Sequence, residues 1–149
     1  MTSFFEHQKL SFRKSYFRNL IYMASVDGEL AESEFKVLYS IGIDRNLKSW
    51  QIEELLKDTS PFDVFIPDSF LNRMNLLYDL MRLLFADGIV DDKEAEYIKQ
   101  ILSSFNLESS VFTELLILFK DGTPATATWR EFTEVLKATA IEKESIPQL

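Results

Sequence analysis

Two acidic pairs stand out by residue type and spacing: Asp27 with Glu34, and Asp87 with Glu94. In each pair a Gly (Gly28, Gly88) directly follows the Asp, and the Glu comes seven residues after the Asp. Carboxylates without nitrogen or sulfur partners suit hard cations, Ca²⁺, Mg²⁺ or Mn²⁺, rather than zinc or copper. Glu29, Glu32, Asp91 and Asp92 add negative charge around the same positions. An EF-hand is excluded, because its loop needs several oxygen ligands ahead of its glycine, whereas Gly28 and Gly88 come directly after their Asp. A second use of the same residues stays open. Asp-Gly is an ordinary turn signal, and an acidic side chain in the first helical turn is favoured by the helix dipole. Glu94 also completes a capping-box pattern with Asp91.

A basic run, Lys9, Arg13, Lys14 and Arg18, is interleaved with Phe12, Tyr16 and Phe17. Steps of four along a helix set Lys9 beside Arg13 and Lys14 beside Arg18. One reading is a contact for an anionic protein partner or a membrane surface; the other is a solvated helix face whose aromatics enter the core.

Enzymatic chemistry finds little material. Cys is absent and His7 is the single histidine. The first removes thiolate catalysis and sulfur-ligated zinc or iron sites, and the second, near the N-terminus, makes a His-rich metal site or a Ser-His-Asp triad hard to build. There is no Gly-rich phosphate loop, so the expectation is a protein that is not an enzyme. With 24 acidic against 16 basic side chains the formal net charge is −8, which disfavours nucleic acid as a partner. No uncharged run exceeds eight residues, whereas a membrane span needs roughly 20 apolar ones. The first residues lack the pattern of a secretory signal, so a cytoplasmic location is expected.

Positioning these residues is the work of helices. Only 4 Gly and 4 Pro occur in 149 residues, and apolar residues make up 46%, which favours an all-α fold in one domain. Shifting the sequence by 60 residues aligns Leu20–Leu56 with Leu80–Leu116 without gaps. Eleven of 37 positions are identical, including all four acidic residues and both glycines. We therefore expect an internally duplicated bundle of about seven helices, with repeats at about 16–57 and 76–117 and a C-terminal helix at about 126–140. The first helix is expected over Phe4–Val26, and Ser49 is the expected N-cap of the third. Pro67 favours the start of the fourth, and Thr128 with Glu131 is expected to cap the last. The fourth, from Phe70 to Ala86, is apolar around most of its circumference and should be central.

The segments Met23–Leu30 with Glu34, and Leu84–Val90 with Glu94, resemble the TerB tellurite-resistance family, whose helical module also occurs at the N-terminus of the DjlA co-chaperone. The resemblance extends over roughly Leu10 to Ala140. It implies a compact all-α fold, a bacterial source and a stress-response role near membrane and metal-related partner proteins, without catalytic activity. Carried onto matching positions, it also implies divalent-metal ligands at Asp27, Glu34, Asp87 and Glu94. The copies are unequal: Ile89 stands where the first copy has Glu29, and Ala31 where the second has the cap-forming Asp91.

Overall fold

The computed structural model describes residues 4–26, 28 and 30–145. These form seven α-helices and no strand: α1 (Phe4–Ala24), α2 (Glu32–Asp44), α3 (Ser49–Lys57), α4 (Phe70–Leu84), α5 (Asp92–Ser104), α6 (Ser110–Phe119) and α7 (Thr126–Ser145). None of the described helices is long and apolar enough to cross a membrane.

The all-round apolar sequence of α4 places it at the centre, packed on α1, α2, α5 and α6. Met74, Leu76, Leu77, Leu80, Met81, Leu83 and Leu84 are all buried. Each contributes roughly 1.5–3 kcal/mol of apolar burial. The flanking helices bury one stripe each: Leu38 and Ile41 from α2, Ile98, Ile101 and Leu102 from α5, Leu115 and Phe119 from α6.

The helix ends show why the chain turns where it does. Gly28 and Gly88 have φ of 91° and 78°, a region open to glycine because no Cβ meets the following carbonyl. Asn46 and Asn106 end α2 and α5 with φ of 70° and 60°, and Leu47 N and Leu107 N reach back to Gly42 O and Leu102 O at 2.9 Å. These left-handed asparagines satisfy carbonyls that the helix leaves open. α2 and α5 start and stop at positions 60 apart, as do the two glycines and the two asparagines.

Several caps differ from expectation. Ser49 is the first residue of α3 rather than its cap; Lys48 holds the cap position, and its N–H donates to Gln51 Oε1 at 2.9 Å. Ser69, not Pro67, caps α4, its hydroxyl accepting from Asn72 N at 3.1 Å. Thr128 lies inside α7, which begins at Thr126 and continues past residue 140 to Ser145. α1 ends at Ala24, two residues before Val26, with single-turn hydrogen bonds from Ser25 and Val26.

The segment between α3 and α4 has no regular structure but is tightly held on α1. Asn19 pairs with the backbone of Phe65 in both directions, Nδ2 to Phe65 O at 2.7 Å and Phe65 N to Oδ1 at 3.0 Å. Arg18 Nη2 donates to Ser60 O at 2.8 Å, and its guanidinium lies 4.9 Å over the Phe62 ring. At the far end, Arg73 Nε donates to Pro67 O at 2.6 Å. The last helix is attached through aromatics: Trp129 meets Tyr78 of α4 and Phe119 of α6 at centroid distances of 5.1 and 5.8 Å.

Candidate functional site

The acidic turns come first. Asp27 lies outside the described residues. Asp87 is exposed, and its Oδ1 accepts from Ile89 N at 3.0 Å. That contact stabilises its own turn. Glu34 and Glu94 sit in the first turns of α2 and α5 and are 4% and 3% exposed. Asp91 caps α5 by accepting from Lys93 N and Glu94 N, whereas Ala31 at the matching place in α2 supplies no side-chain cap. Among the described residues, no three His, Cys, Asp or Glu side chains are grouped so that they could hold a metal ion.

The basic run divides. Lys9 and Arg13 line a pocket of about 400 Å³ between α1, the C-terminal end of α2 and the first half of α4. Arg18 is held by the connecting segment, and Lys14, half-buried, does not line the pocket. The 3.6-residue period accounts for the division: residues 9 and 13 fall on one stripe of α1, and 14 and 18 on another.

Arg45, just past α2, supplies a third cation to the pocket, and Phe12 and Tyr16 form an aromatic wall. Arg45 is fixed from beneath by Asp79 of α4, which is wholly buried. Nε donates to Oδ2 at 2.8 Å and Nη2 to Oδ1 at 3.1 Å. The Tyr16 hydroxyl donates to the same Oδ2 at 2.6 Å. Arg82 approaches Asp79 Oδ1 at 3.7 Å and pairs with Asp44 at 3.2 Å. A carboxylate removed from water is stable only with such partners, and here it has three.

The electrostatics follow. Burial and the neighbouring Asp79 charge push the Tyr16 phenol well above its ordinary value, so it stays protonated and donating. Burial alone would lower the Arg45 guanidinium, but the hydrogen bonds and charge of Asp79 offset this and raise it, so Arg45 remains cationic. Elsewhere, burial followed by the nearby Tyr22 raises Tyr97, whose hydroxyl has no hydrogen-bond partner among the described residues.

The sequence pattern does not mark Asp79 and Arg45 as site residues. The available sign was Asp79 itself, a lone acid in a helix whose other core positions are Leu and Met. Nothing in the spacing of residues 16, 45 and 79 links them, since the contact is made only when three helices pack.

Comparison with protein-family models, with curated proteins and with solved structures returned no match.

Proposed function

We propose that this chain is a non-enzymatic, TerB-like helical binding module with a stress-response role, formed by internal duplication. It docks an acidic segment of a partner protein on the basic, aromatic side of α1. One observation carries the reading: Lys9 and Arg13 share a pocket with Arg45 and an aromatic wall, on a chain whose net charge is −8. A local cationic concavity on an acidic protein steers anionic groups to one place and repels them elsewhere.

The test is fluorescence anisotropy with a short labelled peptide of Glu, Ser and Gly. Binding should weaken at raised salt, as expected for exposed charges, and be lost in Lys9→Gln plus Arg13→Gln. Lys14→Gln should leave it intact. Absence of any binding to the wild-type chain would end this reading.

A second reading, a divalent cation at the Asp-Gly turns, is supported by one feature. Glu34 and Glu94 are both buried, although acidic residues at helix starts ordinarily face water. Calorimetry with Ca²⁺, Mg²⁺ and Mn²⁺ should then show heat that Asp27→Asn plus Asp87→Asn abolishes. No heat, and no change in melting temperature with any of the three, would remove the cation.

A further inference from the structure

We infer that Arg45 is the residue that selects a carboxylate side chain on the partner, and that Asp79 is its positioning residue. This deepens the acidic-segment reading above and depends on it. A guanidinium carries more N–H donors than one carboxylate can take. Asp79 engages Arg45 side-on, through Nε and Nη2. The adjoining end-on edge, formed by Nη1 and the second Nη2 hydrogen, makes no hydrogen bond to the protein among the described residues. Arg45 lines the pocket with 33% of its side chain exposed. That edge is a planar fork, matched by the two oxygens of an incoming carboxylate.

The fork is preorganised. Asp79 is inaccessible to water, and the Tyr16 ring lies 5.9 Å from the Arg45 guanidinium carbon. A ligand therefore meets an arginine whose rotamer is already fixed, and little conformational entropy is lost on binding. The rest of the lining suits a peptide. Gln8, Asn46, Asn72 and Asn75 are carboxamides, each both donor and acceptor, as a peptide backbone requires. Charge distinguishes carboxylate from phosphate. Asp44 stands in the same pocket, and it repels a dianion more strongly than a monoanion.

The experiment uses the full chain and two labelled peptides, one of Glu, Ser and Gly, the other with Gln for every Glu. The Glu peptide should bind at least about tenfold more tightly than the Gln peptide, the scale of a charge-assisted fork. Arg45→Lys keeps the charge but not the fork, and should weaken Glu-peptide binding by about tenfold. Asp79→Asn should weaken it too while leaving the Lys9 and Arg13 contribution, read as the salt dependence, in place. Should Arg45→Lys fail to fold, wild-type NMR decides: the Arg45 guanidinium N–H resonances should move with the Glu peptide and stay with the Gln peptide. Unchanged affinity in a folded Arg45→Lys variant, or unmoved Arg45 resonances during binding, would overturn the assignment and leave the acidic-segment reading standing. Displacement of the peptide by inorganic phosphate at concentrations where acetate has no effect would overturn the choice of carboxylate. Failure of the Glu peptide to bind at all would overturn both.

Discussion

Asn19 and Asp79 stand 60 residues apart, and both are wholly inaccessible to water. Their partners differ. Asn19 holds the backbone of Phe65, while Asp79 gathers Tyr16, Arg45 and Arg82. One buried polar side chain thus fixes the connecting segment on α1, and the other fixes a cation at the pocket.

Asp79→Asn should destabilise the fold by about 2–3 kcal/mol. Breaking one side of a buried pair ordinarily costs roughly 3–5 kcal/mol, but Arg45 and Arg82 are partly exposed and regain water. Urea unfolding followed by circular dichroism measures this. A midpoint equal to wild type would show that the network adds nothing to stability.

The two buried tyrosines should answer oppositely to loss of the hydroxyl. Tyr16→Phe removes a 2.6 Å bond to a buried carboxylate and should cost about 1–3 kcal/mol. Tyr97→Phe removes a buried hydroxyl that has no partner among the described residues, and should be neutral or stabilising by up to about 1 kcal/mol. Paired thermal melts check both, and equal losses would contradict the assignment.

Alkaline pH should weaken the fold. Tyr16 and Tyr97 have raised folded-state pKa values relative to the ordinary 10.0. Their contribution is full below pH 10.0 and falls above it, because the unfolded chain then releases protons that the native chain keeps. The slope is about 1.4 kcal/mol per pH unit for each tyrosine. Melts between neutral pH and pH 11 or so should show the decline, and Tyr16→Phe should make it shallower.

Gly42→Ala tests the α2–α3 contact. A Cβ at residue 42 would stand 2.6 Å from Ile52 Cδ1 and 3.1 Å from Phe17 Cε2. Both neighbours are fully buried and have little room to retreat. Ala gains about 1 kcal/mol of helix propensity over Gly, yet overpacking costs roughly 1–3 kcal/mol. A net loss of about 1 kcal/mol is expected, seen as a lower melting temperature; a gain would show that Ile52 yields.

Much of this fold is legible before any packing is known. The spacing of apolar residues marks every helix, and the apolar coverage of most of the circumference over Phe70–Ala86 identifies the fourth helix as central, because 3.6-residue periodicity is a local property of the chain. Helix caps are harder. Ser49 and Thr128 have the chemistry of a cap, but Gln51 bonds Lys48 N instead, and Thr128 continues a helix already begun at Thr126. The pocket is harder still. Lys9 and Arg13 can be paired from their spacing, yet Arg45 joins them only through Asp79, a contact between residues 34 positions apart. Arg18, by spacing a candidate for either a partner contact or a solvated face, is occupied by Ser60 and Phe62. Such outcomes depend on how the connecting segment lies, which no periodicity encodes.

That segment has a further consequence. It is clasped by Asn19, Arg18 and Arg73 along its length, while α4 packs on α1 and α2 across it. We predict that this packing, rather than continuity of the backbone there, holds α1–α3 to α4–α7. A single protease cut within it should leave two fragments that travel as one species on a sizing column. The pocket, with walls from α1 and α2 on one fragment and α4 on the other, should then be rebuilt by mixing.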